Sequence, residues 1–307
     1  MEKVLVLLST YNGGKYLEEQ LNSIAAQRDA DPALLIRDDG SSDGTRRILE
    51  RFRARNAAVR VTEGENLGAC ASFLRLLAQA PLEYDYYAFS DQDDVWNEGK
   101  LRAAVQTLER EDMNKPALYF CGQTVTDENL VPVYTHRAHP ERSVRANCIF
   151  NQMSGCTAVW NRALMEKLKK YQPRLSFGHD VWVYRVCAAL GGVIRADQQP
   201  YILYRQHKNN VVGLRGGLLS RLKRARDYLF RYDPAPYASE ILRGYGTELD
   251  PKWKAFLQDV VRADQSAESR RRLRRDPEID FKDGTLRALF LAKLTLRRMG
   301  GGKAGRA

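Results

Sequence analysis

Residues 3–27 read KVLVLLSTYNGGKYLEEQLNSIAAQ. The segment opens on an unbroken apolar run, Val4 to Leu8, and crosses a polar turn. It continues with Leu17, Leu21 and Ile24 on one face of a helix. A strand followed by a helix is half of a βαβ unit, and the same order recurs downstream. "ALLIRDDG" (33–40) is a second strand, and "SSDGT" (41–45) supplies N-cap chemistry for the helix "RRILERFRAR" (46–55). "AVRVTEG" (58–64) with "ACASFLRLLAQA" (69–80), and "YYAFSDQDD" (86–94) with "KLRAAVQTLER" (100–110), complete four such pairs. That repetition predicts an α/β fold with a mostly parallel sheet covered on both faces.

After "PALYFCG" (116–122) the alternation weakens, and residues 122–156 read as a long polar loop region. "TAVWNRALMEKL" (157–168), "HDVWVYRVCAALGG" (179–192) and the β-rich "VIRADQQPYILYRQH" (193–207) follow. From about Gly213 the chain becomes helical and basic, and 300–307 read as a disordered tail. The expected division is therefore 1–213 and a C-terminal helical extension, 214–307.

Composition places the chain among ordinary globular proteins, with 44% hydrophobic and 28% charged residues. Its apolar runs fall far short of the roughly 18 residues a membrane span needs. The N-terminus enters the first strand without a cleavage-site pattern, so a cytoplasmic protein is expected. The five cysteines contain no C-x-x-C pair and read as buried small hydrophobes. The net charge of +11 is uneven: residues 218–307 hold 21 Lys/Arg against 12 Asp/Glu. A basic tail on a nearly neutral body suggests an anionic partner. Leu286, Leu289, Phe290 and Leu294 share one helical face near Arg287, Lys293, Arg297 and Arg298. That pattern fits a peripheral contact with the anionic inner face of the cell membrane, and equally a solvated helical subdomain. "RRRLRRD" (270–276) lacks interleaved aromatics, so no nucleic-acid partner is expected.

In an open α/β sheet, ligands bind at the carboxyl ends of the strands. Here those ends carry Thr10-Tyr11-Asn12-Gly13-Gly14, Asp38-Asp39-Gly40-Ser41, Glu65-Asn66-Leu67-Gly68 and Asp91-Gln92-Asp93-Asp94. Any one reads as a turn; four together point to a site. The chain lacks both a G-x-G-x-x-G after the first strand and a G-x-x-x-x-G-K-[ST] loop. A diphosphate held without such a cradle needs another positive partner. Asp91 and Asp93, one residue apart, supply hard oxygen ligands for Mg²⁺ or Mn²⁺. Asp94 is expected to cap the turn into the next helix.

Taken in order, "STYNGGKYLEEQLNSIAAQ", "IRDDGSSDGT", "ENLGACASFLRLL" and "FSDQDDVW" resemble the family 2 glycosyltransferases, which have the Rossmann-like GT-A fold. "SGCTAVWNRAL", "GHDVWVYRVCAALGG" and "PYILYRQHKNNVVG" are similar to the rhamnosyltransferase-like members. The resemblance covers about residues 3–213. It implies an inverting, metal-dependent transfer of a sugar, with rhamnose from dTDP-rhamnose as the leading donor, onto a saccharide or lipid-linked acceptor in cell-surface polysaccharide synthesis. It also implies that Thr10, Tyr11 and Asn12 line the nucleotide pocket. Asp39, with Asp38, would accept from the imide N–H of uracil or thymine, favouring UDP- or dTDP-sugars. Asn66 and Gly68 would lie near the donor. Asp93 would be the more direct metal ligand, Asp91 would contact sugar, ribose or metal, and His207 stands where some relatives supply a third ligand. Asp180 matches the general base, and a helix N-terminus there favours its ionised form. His179 replaces a glutamate found in many members and matches the "HD" of the rhamnosyltransferase-like ones. His179, Trp182, Gly155 and Cys156 are candidates for the acceptor side. A non-catalytic nucleotide-sugar-binding subunit on the same fold would be expected to lose the D-x-D or the base, and neither is lost. A sugar-1-phosphate nucleotidyltransferase would want a glycine-rich basic loop after the first strand, where this chain has "STYNGG".

Overall fold

A computed structural model describes residues 2–176, 178–207, 225–230 and 232–299, without the side chains of 297–299. The expected tail at 300–307 and most of the basic helix at 218–230 lie outside the described residues. Five buried side chains, Val4 to Leu8, make β1 (Lys3–Thr10) a strand covered on both faces. It pairs in parallel with β2 (Asp31–Asp38), which pairs in parallel with β3 (Val59–Glu63), and on its other side with β4 (Tyr86–Ser90). The crossovers are α1 (Leu17–Ala25), α2 (Thr45–Arg55) and α3 (Ala69–Gln79). Leu17, Leu21 and Ile24 of α1 are fully buried, as their spacing predicts. Each such side chain contributes roughly 1.5–3 kcal/mol by leaving water.

The sheet then becomes mixed. After β5 (Val95–Trp96), α4 (Lys100–Leu108) and β6 (Ala117–Thr126), the short β8 (Val159–Asn161) slots antiparallel between β4 and β6. β9 (Val193–Arg205) runs parallel to β6 and carries β5 on its far edge. The order is β3-β2-β1-β4-β8-β6-β9-β5, with β7 (Pro132–His136) paired to β6. The region expected as a long loop thus contains the end of β6, all of β7, and α5 (Val144–Ile149). A single solvated edge strand and a six-residue helix leave little periodic signal. The helices α6 (Arg162–Lys170) and α7 (His179–Ala189) follow β8.

By compactness the chain divides into two units, Met1–Pro140 with Gln152–Gly213, and Glu141–Asn151 with Leu214–Ala307. Residues 141–151, inside the first expected segment, therefore cluster with the C-terminal one. The second unit holds α8 (Ala235–Tyr245), α9 (Pro251–Arg262), α10 (Ala267–Arg275) and α11 (Gly284–Met299). The face expected to meet a membrane is turned inward within this unit: Phe290 is 5% exposed and Leu294 3%. Between them Lys293 is also buried, its Nζ donating to the Tyr228 carbonyl at 2.6 Å. Phe290 and Leu294 of that stripe are thus packed core, while Leu286 and Leu289 stay half-buried. Among the described residues no helix is long and apolar enough to cross a membrane. All five cysteines are buried free thiols.

Candidate active site

The carboxyl ends of β1, β2, β3 and β4 converge, and hydrogen bonds lock the four turns to one another. Gln92 Oε1 accepts from Thr10 Oγ1 (2.6 Å) and from the Tyr11 N–H (2.9 Å), while its Nε2 donates to the Tyr11 carbonyl (3.2 Å). The Tyr11 backbone is therefore fixed while its ring stays 47% exposed. Asn12 sits at φ 48°, donates its N–H to Ser41 Oγ and accepts from the Ser42 N–H. Asn is among the few residues that tolerate that left-handed conformation.

Asp38 is fully buried; Oδ1 accepts from the Ser41 N–H and hydroxyl, and Oδ2 from Arg46 Nε at 3.2 Å. Asp39 pairs with the buried guanidinium of Arg37 and accepts from the N–H groups of Leu67 (2.9 Å) and Gly68 (2.8 Å). Asp39 thus holds the loop that carries Asn66, whose Oδ1 also accepts from Gly68 N–H. Gly68 adopts φ 80°, a conformation that favours glycine.

At the end of β4 the three aspartates differ. Asp91 is half-buried, and its carboxyl is pushed up to about 7 by burial first, then by the charges of Asp93 and Asp180. Asp93 Oδ2 lies 2.7 Å from His207 Nε2. Asp94 does not cap a helix turn: it is fully buried, and its Oδ1 accepts from the Arg205 N–H at 3.2 Å. Burial and the neighbouring Asp93 and Asp91 hold its carboxyl well above the ordinary carboxylate range. Asp91, Asp94 and Cys156 bring one ligand atom each within 4.8 Å of one another. The Cys156 thiol is pushed well up by burial and both aspartates, so it stays protonated and is a poor metal ligand. Among the described residues Asp91, Asp93 and His207 do not form such a three-ligand group; Asp93, two residues after Asp91, meets His207.

Behind the loop sits a cation. Lys100 is fully buried, its Nζ lies 3.3 Å over the Trp96 ring, and no hydrogen-bond acceptor among the described residues reaches it. Burial lowers it to about 8. Arg205, 3% exposed, donates to the carbonyls of Asp93 (2.8 Å) and Glu128 (2.7 Å), pairs with Glu19, and lies over the Tyr16 ring. Gln92, Arg37, Lys100 and Arg205 were not singled out from sequence. Gln92 and Arg37 lie inside the quoted motifs, and Arg205 is two residues before His207, so proximity to motif residues was the available signal.

Opposite the aspartates, α7 begins at Gly178, whose φ of 76° sets the turn into the helix. Asp180 is pushed up to about 6 by burial, opposed by hydrogen bonds from the backbone of Val181, Asp180 and Gly155. At neutral pH it remains mostly ionised, although burial weakens the effect expected from the helix terminus. His179 stacks flat on Phe73 (4.0 Å between centroids) and meets Phe89 edge-on, with Nε2 buried and unpartnered. Burial drops it to about 3, so it is a neutral ring. A Cβ on Gly155 would come 3.0 Å from His179 Nε2 and 3.3 Å from Asp180 Cβ, so the Gly155–Thr157 turn packs directly on both. Trp182 is 1% exposed, with Tyr171 6.1 Å away. It is therefore a core residue and is withdrawn as an acceptor platform. Cys156 is likewise 1% exposed, so it shapes the site from behind.

Comparison with known proteins bears on the family and the fold. Residues 5–171 match the family described as glycosyl transferase family 2. The dTDP-rhamnosyl transferase RfbG of Shigella flexneri is 30% identical over 233 residues, 71% of this chain and 77% of that protein. Residues 1–349 of S. aureus TarS, solved with UDP-GlcNAc, superpose with a TM-score of 0.58 at 19% identity, covering 96% of this chain and 81% of that one. The mannosyltransferase PcManGT of Pyrobaculum calidifontis, solved with GDP-Man and Mn²⁺, gives 0.51 at 17% identity, over 98% and 88% of the two chains. These two likenesses speak to the fold. With the family matched across more than half its length and a rhamnosyl transferase similar over three quarters of that relative, the chain is a glycosyltransferase of family 2 with the GT-A architecture.

Proposed function

We propose that the protein transfers rhamnose from dTDP-rhamnose, with inversion, to a hydroxyl of a saccharide or lipid-linked acceptor in surface-polysaccharide assembly. The similarity to RfbG supports the donor. The observation that carries the chemistry is that Asp91 feels the charges of both Asp93 and Asp180, so the aspartates after β4 and the α7 carboxylate lie near one another.

Tyr11, fixed by Gln92, offers its exposed ring to the base, beside Thr10 and Asn12. Asp39 Oδ2 accepts one N–H, which leaves a second lone pair for a thymine or uracil imide. The donor set fits a divalent cation: half-buried carboxylates whose mutual repulsion raises Asp91, and a carboxylate oxygen beside an imidazole nitrogen. Asp91, Asp93 and His207 would hold Mg²⁺ or Mn²⁺, which would neutralise charge growing on the leaving diphosphate. The PcManGT structure carries Mn²⁺ on the same fold.

Asp180 takes the proton of the acceptor hydroxyl. The freed oxygen forms its bond to the anomeric carbon from the face opposite the nucleotide, and the bond to the β-phosphate oxygen breaks with its electron pair leaving on dTDP. Neutral His179 and Gly155 would shape the acceptor side, the missing Cβ letting the Gly155 turn pack directly on His179 and Asp180. With Phe290 and Leu294 of α11 buried, a hold on an anionic membrane would rest mainly on charge, at exposed arginines such as Arg271 and Arg275.

A donor-hydrolysis screen of dTDP-, UDP- and GDP-sugars, each with Mn²⁺ and with EDTA, tests this reading. dTDP-rhamnose with metal should be fastest; a purine donor, or activity indifferent to EDTA, would sink the site assignment. Asp180→Asn should abolish transfer and leave dTDP affinity within about twofold. Wild-type turnover by that variant would remove Asp180 from the mechanism.

A further inference from the structure

Tyr16 stands at the N-cap of α1, and its backbone is held on both sides. Its N–H donates to the Gly13 carbonyl at 3.0 Å, and its carbonyl accepts from the N–H groups of Glu19 and Gln20 at 3.2 Å. The half-buried side chain therefore leaves from a fixed point on the turn after β1. Its hydroxyl lies 3.5 Å from Glu128 Oε2, too long for a strong hydrogen bond, so the ring makes the contacts that matter. Arg205, anchored on the carbonyls of Asp93 and Glu128, places its Cζ 4.5 Å from the ring centroid. The His207 imidazole lies 5.0 Å away between centroids, with 31° between the planes.

His207 lies two residues past the end of β9, beyond the register with β6, which runs to Arg205. Strand pairing therefore does not dictate the direction of its ring. The imidazole nonetheless comes to 2.7 Å from Asp93 Oδ2 through Nε2, and the two side chains are only 10% and 13% exposed. The Tyr16 ring sits at a spacing where aromatic rings attract one another, so it bears on the orientation of that imidazole.

We propose that Tyr16 is a positioning residue of the metal site, its ring holding the His207 imidazole with Nε2 directed at the cation that Asp93 would share. The assignment rests on the reading of Asp93 and His207 as metal ligands. A histidine ring turns broadly about its second side-chain torsion, and such a turn would swing Nε2 away from Asp93. A flat ring against the imidazole restricts that rotation before any ion arrives, so less ordering is left for binding to impose. An aliphatic side chain of similar bulk fills the space without presenting a face. The same Tyr16 ring also meets Arg205, whose Nε donates to the Asp93 carbonyl at 2.8 Å. One aromatic side chain thus bears on both ligands, on the imidazole directly and on the Asp93 backbone through Arg205.

Titration of the full-length protein with Mn²⁺ alone, followed by loss of the free-ion paramagnetic resonance signal, tests the assignment. Tyr16→Leu should weaken Mn²⁺ binding about tenfold, as changes to groups that orient a metal ligand do. Tyr16→Phe keeps the flat ring and should bind within about twofold of wild type. Tyr16→Met, a flexible filler, should behave like the leucine variant and replaces it if that chain does not fold. In a His207→Ala background, Tyr16→Leu should cost far less Mn²⁺ affinity than in the wild type, because the imidazole it orients is gone. The nitrogen coupling of a Mn²⁺-bound imidazole, seen by electron spin-echo envelope modulation, should be present in wild type and Tyr16→Phe. It should be reduced in Tyr16→Leu and absent in His207→Ala. In EDTA, dTDP affinity of Tyr16→Leu should stay within about twofold of wild type. A loss of dTDP affinity as large as the loss for Mn²⁺ would make Tyr16 a support of the whole turn and overturn the proposal. So would a Tyr16→Leu chain that binds Mn²⁺ like wild type, or one that loses as much affinity without the imidazole as with it. A His207→Ala chain that binds Mn²⁺ like wild type would strike the metal-ligand reading instead, and the two failures are therefore distinguishable.

Discussion

Asp180 and His179 are adjacent and half-buried at the start of α7, and burial moves them in opposite directions. The neutral form is favoured in each case, so the carboxyl rises to about 6 and the imidazole falls to about 3. A general base works deprotonated, so activity is full above the raised value and is lost as pH falls through about 6. With saturating Mn²⁺ and donor, transfer at pH 5 should be about a tenth of that at pH 7.5, and His179 should add no step in between. A rate constant flat down to pH 4.5 would disprove Asp180 as the titrating base. The aspartates after β4 also mark what a sequence can and cannot tell. D-x-D spacing is local, so Asp91 and Asp93 were legible. Asp94 was misjudged because its partner, the Arg205 N–H, lies 111 residues away. Capping is a local property, whereas burial against another strand is not.

Among the elements, the first four βα pairs were readable because each strand is a contiguous apolar run and each helix a 3.6-residue pattern. β8, only three residues long, was not, and neither was its antiparallel insertion between β4 and β6. Nor could spacing reveal that the turn after β1 is pinned by Gln92 from the turn after β4. That pin has a cost at Gly13. A Cβ there would sit inside van der Waals contact of Gln92 Oε1 and 2.8 Å from Thr10 Oγ1. Because Gln92 is held by three hydrogen bonds, it cannot move aside without releasing Thr10 and Tyr11. Gly13→Ala should therefore weaken dTDP binding about tenfold and destabilise the chain by about 1–3 kcal/mol, as overpacking does. Gln92→Ala removes the nearer obstruction and frees the Thr10 hydroxyl to rotate away, so adding Gly13→Ala to it should cost clearly less than in the wild type in either measurement. Strict additivity of the two changes, by calorimetry and denaturant unfolding, would show that the clash does not operate.

For the molecule as a whole, the central electrostatic problem is that folding brings Asp91, Asp93, Asp94 and Asp180 close enough to act on one another. Two buried cations lie close in sequence, Arg185 after Asp180 and Lys100 after Asp94, and Lys100 is itself held down to about 8. A carboxyl whose folded value of about 7 exceeds its ordinary 3.8 binds its proton more tightly in the folded chain. Such a group costs stability at pH 8, and the cost is relieved as pH falls through 7. A divalent cation on the same carboxylates would do at pH 7.5 what protons do at pH 5. Mn²⁺ at about 100 times its dissociation constant should then stabilise the fold by about 2.7 kcal/mol at pH 7.5. Because protons and metal compete for one cluster, the metal-induced rise in melting temperature should shrink steadily toward pH 5. Asp91→Asn with Asp93→Asn should be more stable than wild type in EDTA at pH 7.5, having shed the repulsion, and should gain nothing from Mn²⁺. Thermal unfolding of both proteins across that pH range decides the matter. A wild type whose melting temperature is the same in Mn²⁺ and EDTA, or a double variant that still responds to the metal, would show that the cation does not bind where the charges converge.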